Sequence, residues 1–399
     1  MKKIMSVNAG SSSLKFKLFE MPSEKVITEG NVERIGLEDS IFTIKVNGEK
    51  QKEVLPIPTH KEAVAKLLFE LINKGIVKDI KEIGGVGHRI VQGGWYFSDS
   101  CLADDDAIAK IEELCPLGPL HNPAHLIGIR EFKKVLPDVP HVVVFDTSFH
   151  QTMPDTSYMY AVPYEWYETY KVRKYGAHGT SHKYVSLRAA EMLGKDPSEL
   201  NIITCHLGNG ASISAVKGGK CIDTSMGLTP LEGIPMGTRS GNLDPTVLSF
   251  MADKKGYTLN ELITILNKKS GYLGVSGISN DSRDLEEAVK NGNDRARLAL
   301  DLQYKRIADY IGSYYVLMGG VDAIVFTAGI GENSPRCRQS VIDRISVLGA
   351  KLDKEANQTR GKETVLSTPD SKVAILLIPT EEELMIARDV VRVANIKLD

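Results

Sequence analysis

No run of about 18 apolar residues occurs in this 399-residue chain, which leaves no candidate membrane-spanning helix. The most apolar tract, residues 310–326, is interrupted by Gly319, Gly320 and Asp322 and predicts helix, turn and buried strand. Cysteine is scarce: Cys101, Cys115, Cys205, Cys221 and Cys337 form no CxxC pair. An odd, scattered set argues for reduced thiols in a cytoplasmic protein, with Cys205 packed in an apolar strand. An excess of charge of one sign is also missing. The net charge of −2 offers no electrostatic basis for binding nucleic acid or an anionic membrane. Neither a GxxxxGK[ST] loop nor a GxSxG elbow is present, which argues against a P-loop site and a nucleophile-elbow hydrolase. His178 and His182 have the spacing of a zinc helix, but Gly179-Thr180 weakens helix propensity and no Glu follows His178. Residues 4–7 are too short for the apolar core of a signal peptide.

What is present is an ordinary globular composition, 42% hydrophobic and 25% charged, over a length that suits two or three domains. Apolar patterning predicts strands at 3–7, 14–20, 42–46, 85–91 and 141–145, and helices at 60–74, 104–115 and 123–135. After a Pro- and Tyr-rich stretch the pattern restarts. Strands follow at 201–205, through Ala215 and Cys221, at 323–326 and at 373–378, with helices at 295–318, from Pro335, and at 381–394. The turns 8–13 and 208–212 are alike and lie half a chain apart, which suggests a duplicated α/β domain with a ligand cleft between the copies and a hinge near 153–163. Coincidence between two polar hairpins is the competing reading.

Four turns combine Gly with small polar residues: 8–13, 206–212, 237–241 and 329–334. Gly lets successive N–H groups approach an anion, and four such turns favour a polyphosphate ligand. The last runs from a buried strand toward a helix start, although Ser334 stands where a dinucleotide fingerprint needs Gly. Arg89, Asp146, Arg239 and Glu381-Glu382-Glu383 sit in or just after apolar segments, where open α/β folds bind ligands. The bland alternative is internal pairing, for example Arg89 with Asp146. His121, His178 and His182 lie in turns, as structural hydrogen-bonders or as donors to a phosphoryl group.

Over essentially its whole length the chain resembles the acetate kinase family, within the actin, chaperone-ATPase and sugar-kinase superfamily. The resemblance rests on NAGSSSLK (8–15), VGHRIV (86–91), PLHNP (119–123), FDTSFHQT (145–152), YGAHGTSH (175–182), CHLGNG (205–210), DTSMGLTPLEG (223–233), MGTRSG (236–241), FTAGIGEN (326–333) and PTEEEL (379–384). It implies two duplicated actin-like ATPase domains of ribonuclease-H-like topology with an interdomain cleft. The first would span 1–150 with 383–399, and the second, nucleotide-binding, 151–382. It implies Mg²⁺, or Mn²⁺ in its place, at Asn8 and Glu382. ATP or ADP would be bound by Lys15, Ser11, Ser13, His206, Leu207, Gly208, Asn209, Gly210, Asp281, Ser282, Arg283, Gly329, Ile330, Gly331, Glu332 and Asn333. Arg89 would hold the substrate carboxylate, with Asp146 as the active-site carboxylate and His178 and Arg239 stabilising the transition state. His121, Val91, Leu120 and Pro230 would complete the acid site, the last three around a methyl group.

The implied reaction is reversible transfer between ATP and acetate to give acetyl phosphate, in a cytoplasmic homodimer. A carboxylate nucleophile is already ionised, so Asp146 is expected to orient Arg89 or a metal-bound water. Departures from the family pattern are Gln92, Trp95, Ala177 and Asn242. Alternatives are a kinase for propionate or another short acid, an actin-like or chaperone-type ATPase module, and a sugar kinase with Asp146 as base.

Overall fold

The computed structural model describes residues 1–119 and 121–398. The chain divides into two compact units, Met1–Phe149 with Glu381–Asp399, and His150–Thr380.

The first unit is built on an eight-stranded sheet: β1 (Lys2–Gly10), β2 (Ser13–Met21), β3 (Lys25–Glu33), β4 (Ser40–Val46), β5 (Glu49–Leu55), β6 (Ile83–Ile90), β7 (Cys101–Leu102) and β8 (His141–Phe145), in the order 5-4-3-2-1-6-8-7. β1, β2 and β3 form an antiparallel meander, β6 and β8 add in parallel, and β7 closes the far edge antiparallel. The second unit has β9 (Asn201–Leu207), β10 (Ala211–Lys217), β11 (Lys220–Thr224), β12 (Ala323–Thr327), β13 (Thr364–Val365) and β14 (Ala374–Leu377), in the order 11-10-9-12-14-13. Here too a meander is extended by two parallel strands and one antiparallel edge strand. Strand for strand, 3-2-1-6-8-7 maps onto 11-10-9-12-14-13. The similar turns at 8–13 and 208–212 are the same hairpin of this doubled actin-like topology.

Each sheet is central because its middle strands are apolar on both faces. Ile4, Met5 and Val7 in the first unit are buried, as are Ile202, Ile203, Cys205 and Leu207 in the second. Helix His60–Asn73 starts at Thr59, whose side chain accepts from the Lys61 amide, and buries Val64, Leu67, Leu68 and Leu71. Ile72, in register by periodicity, is instead exposed.

The helix Glu382–Val393 packs on β6, β1 and β8. Two glycines in β6 let it approach. A β-carbon on Gly87 would stand 2.3 Å from Ile386 Cγ2, and one on Gly85 2.5 Å from Val390 Cγ1. Its outer turns are tied by Arg388 to Glu24, Arg392 to Asp99 and Ser100 to Asp389. Gly87→Ala is expected to destabilise by about 1–3 kcal/mol through overpacking. Gly312→Ala, mid-helix with nothing within 4 Å of its β-carbon, is expected to gain about 0.5–1 kcal/mol. Urea unfolding of the two variants checks the opposite signs.

Two local expectations are corrected. Gly179–Leu193 is a helix despite Gly179-Thr180, because Thr180, Ser181, His182, Val185 and Ala189 bury one face of it. The turn after β12 is itself a helical turn, Ala328–Asn333, entered through Ala328 at φ 62°.

Candidate active site

In the first unit, β6 delivers Arg89 and the end of β8 delivers Asp146. Parallel pairing puts Arg89 beside Val144 and Ile90 beside Phe145, so Asp146 emerges next to Arg89. Arg89 Nε donates to Asp146 Oδ1 at 3.0 Å and Nη2 to Oδ2 at 2.6 Å. Asp146 is 1% exposed, so this is a buried bidentate pair. The internal pairing weighed from the sequence is therefore present. It uses one edge of the guanidinium and leaves Nη1 without a partner among the described residues. Burial works against the Arg89 charge, but Asp146 and then Glu382 outweigh it and hold the group above its usual range.

Glu382 Oε2 lies 4.0 Å from Arg89 Nε. Burial, then Asp146 and Glu383, push the Glu382 carboxyl up to about 7, against Arg89 and Lys15. Lys17, not anticipated from the sequence, braces the flanking acids, with Nζ 3.2 Å from Glu381 and 3.8 Å from Glu383. Asn8 and Lys15 face each other across the β1–β2 hairpin. An amide oxygen at Asn8 and a crowded carboxylate at Glu382 are hard oxygen donors, and a cation would return Glu382 to its charged form. They fit Mg²⁺, which keeps several waters and binds through few protein ligands. Among the described residues no cluster of three or more His, Cys, Asp or Glu is arranged around a metal position.

Val91, two residues after Arg89, is buried, and His121 occupies the N-cap position of the helix Asn122–Val135 without a side-chain capping bond. Leu120 lies outside the described residues. Gln92 is buried and structural: its amide N–H donates to Asn122 Oδ1, its carbonyl accepts from Asn122 Nδ2, and its side chain caps the Gly94 amide. Trp95 is 37% exposed and lies against Tyr96.

In the second unit, His178 sits in a left-handed conformation, φ 57°, immediately before the helix Gly179–Leu193. For a non-glycine residue this conformation stores strain and marks functional turns. Its ring stacks on His206 with centroids 4.1 Å apart. Arg239 donates from Nη1 to the Pro230 carbonyl at 3.0 Å and contacts Met236 Sδ at 3.5 Å. No carboxylate stands within ion-pair range of it among the described residues, and burial pulls it below the usual arginine value. Its loop rests on Gly271, at φ +57°, where a β-carbon would meet the Met236 carbonyl at 2.0 Å. Arg239 and His178 converge on the Gly208–Gly210 turn: a β-carbon on Gly210 would lie 3.4 Å from Arg239 Nη1 and 3.5 Å from His178 Nε2. Asn242, beside Arg239, accepts from the Gly233 amide and donates to Tyr310, a structural role.

A cavity of about 490 Å³ opens in the same unit. Gly208, Asn209, Asp281, Ser282, Arg283, Gly329, Ile330 and Asn333 line it, so the structure assembles three separate sequence segments into one wall. Ser334, the last residue of the 329–334 turn, also lines it, as do Asn280, Glu286 and Arg360, which were not legible as site residues. Of the other sequence candidates, Leu207 is buried in the core, and Glu332 accepts from the Thr380 amide. Gly331 gives its carbonyl to Arg338 at 2.7 Å. Arg338 is fully buried and among the described residues donates otherwise only to Asn357 and Thr359, and burial pulls its guanidinium down to about 10. It braces the Ala328–Asn333 turn and the strand of loop bearing Arg360 together. Ser11, Ser13 and Lys15 belong to the first unit's hairpin.

The acetokinase family profile matches residues 3–388. An acetate kinase of Bacillus velezensis is 60% identical, over 99% of this chain and 100% of that protein. One from Bacillus subtilis is 59% identical with the same coverage. The crystal structure of Porphyromonas gingivalis acetate kinase superposes with a TM-score of 0.95 at 48% identity, covering 99% of this chain and all of that one. A propionate kinase from Francisella tularensis gives 0.93 at 42% identity, covering 98% and 100%. With a strand-for-strand doubled sheet, a bidentate Arg–Asp pair and a Gly-lined cavity already in place, the match across the full length settles the kinship: the chain belongs to the acetokinase family, phosphotransferases with a carboxyl group as acceptor.

Proposed function

We propose that the protein catalyses reversible, Mg²⁺-dependent transfer of the γ-phosphoryl group of ATP to acetate, giving acetyl phosphate and ADP. The observation that carries this reading is Arg239. A largely buried guanidinium without an acidic partner is costly unless an anion answers it, and His178 converges with it on one glycine turn. The 490 Å³ cavity is assigned to the nucleoside of ATP.

Acetate is ionised at neutral pH, so its carboxylate oxygen attacks the γ-phosphorus without a general base. A carboxylate O–P bond forms, the β–γ bridging P–O bond breaks, and ADP leaves with the electron pair. The protein must position the reactants and neutralise charge spread over the phosphoryl oxygens. Arg89 offers its outer edge to the acid, and Asp146, bonded to the other edge, orients it. Arg239 and His178 donate to the phosphoryl oxygens. Asn8 and Glu382 would hold Mg²⁺, which supplies charge neutralisation on the phosphate oxygens. Val91, Leu120 and Pro230 are assigned to the methyl group, and His121 to the acid's surroundings. The reading includes a cytoplasmic homodimer, in keeping with free thiols at all five cysteines.

Hydroxylamine trapping tests the reading: acetate, MgATP and the protein should yield acetohydroxamate. ATP hydrolysis without hydroxamate would overturn it. The likeness to a propionate kinase makes propionate the second reading. Acetate is expected to lead in kcat/KM by roughly 10-fold or more per added methylene, and a reversed order would favour propionate.

A further inference from the structure

Behind His178 runs a single file of hydrogen bonds. His178 Nδ1 lies 2.9 Å from Ser212 Oγ, His182 Nε2 lies 2.7 Å from the same oxygen, and His182 Nδ1 lies 2.7 Å from Thr204 Oγ1. Strand β9 presents Thr204, β10 presents Ser212, and the first turn of Gly179–Leu193 presents His182 between them. Thr204, His182 and Ser212 are all 0% exposed, so water does not complete their hydrogen bonding.

The file has two self-consistent directions. Ser212 has one hydroxyl proton and faces two ring nitrogens, so it donates to one and accepts from the other. Burial, with His150 and His206 nearby, holds His182 well below its usual pKa, so this ring is neutral and carries a single proton. In one direction Thr204 O–H donates to His182 Nδ1, His182 Nε2–H donates to Ser212, and Ser212 O–H donates to His178 Nδ1. Every proton is then used. In the other direction His182 Nδ1–H donates to Thr204, whose own hydroxyl proton has no second acceptor among the described residues. A buried donor left without an acceptor loses its hydration with nothing in return, which favours the first direction. In that direction His178 accepts at Nδ1, so its remaining ring proton sits on Nε2. Nε2 is the atom on the side of Gly210 and Arg239.

We propose that Thr204, His182 and Ser212 are positioning residues that fix His178 as its Nε2–H tautomer, so that this proton is presented to the transferring phosphoryl group. The identity of the acceptor rests on the phosphotransfer reading above; the tautomer does not. The reverse tautomer would turn a bare lone pair toward an oxyanion, replacing attraction by repulsion.

The test uses the full chain labelled with ¹⁵N in its histidine rings. Nitrogen shifts of His178, assigned by loss of its signals in His178→Gln, should show a protonated Nε2 and a bare Nδ1. Protonation at Nδ1, alone or with Nε2, overturns the proposal whether or not the protein makes acyl phosphate. Ser212→Ala should move the proton population toward Nδ1 and lower kcat about 10- to 100-fold. KM for ATP and for acetate should stay within about threefold, the signature of an interaction made in the transition state. His182→Gln keeps an acceptor for Thr204 and a donor for Ser212, so it should recover most of the activity that His182→Phe loses. A folded Ser212→Ala protein with unchanged kcat, or His182→Gln and His182→Phe equally impaired, would refute the relay.

Discussion

Replacing Arg239 by leucine is expected to lower kcat about 10³- to 10⁵-fold, the range over which a single arginine stabilises a phosphoryl-transfer transition state. The apparent unfolding midpoint should hold or rise. The second half of this result separates the proposed role from a structural one. Among the described residues the Arg239 side chain bonds only to a carbonyl and a thioether, and no acid neutralises it. Burying such a charge opposes folding, so the shorter, uncharged leucine relieves a cost. Steady-state kinetics and thermal unfolding on one preparation check both signs. A variant that loses stability in step with activity would place Arg239 among the scaffold residues.

The second arginine should behave in the opposite way. Arg89→Met leaves Asp146, 1% exposed, without its bidentate partner and near Glu382. Breaking a buried pair from one side costs about 3–5 kcal/mol. Activity should fall as well, because the acid loses its anchor. Adding Asp146→Asn removes the stranded charge and should recover most of the stability with none of the activity. If the double variant is no more stable than Arg89→Met, the pair is not what holds that end of the sheet together. The two arginines thus carry contrasting thermodynamic signatures, decided by whether a carboxylate accompanies them.

Much of this arrangement was legible in the sequence, for identifiable reasons. β8 is an unbroken apolar run, and its limits at His141 and Phe145 follow from that pattern. The twin hairpins were legible as similar small polar turns, and each proves to pair its first strand in parallel with a later one. β5 was not legible: Glu49 to Glu53 are all polar and exposed, as suits an edge strand that discourages further pairing. The helix at Gly179 was hidden because tertiary burial overrode local propensity. Among site residues, Arg89, Asp146 and Glu382 stood out as charges at the ends of apolar strands. Arg338 did not, since it lies inside a helix among mostly polar residues and its partners are three backbone carbonyls and the Asn357 side-chain amide. Glu286 and Arg360 reach the cavity only through tertiary folding, one from the polar face of a helix and the other from a loop with a lone glycine, Gly361. Lys17 differs from Lys15 in the acids that tertiary folding sets beside it, Glu29 across the sheet and Glu381 and Glu383 at the start of the last helix.

The pairing of Gly85 and Gly87 with Ile386 and Val390 has a consequence for the order of events on the ribosome. The unit formed by residues 150–380 is continuous in sequence and can collapse as soon as it is made. The unit that is begun first must wait, with the notch over its two glycines uncovered, until residues 381–393 have been synthesised. At roughly 5–20 residues per second that delay is on the order of 10–50 s. A nascent chain halted before residue 381 would already carry Arg89 and Asp146 but not Glu382. The segment that seals the notch also brings in this carboxylate, so translation ends the wait and sets Glu382 beside the Arg89–Asp146 pair in one step.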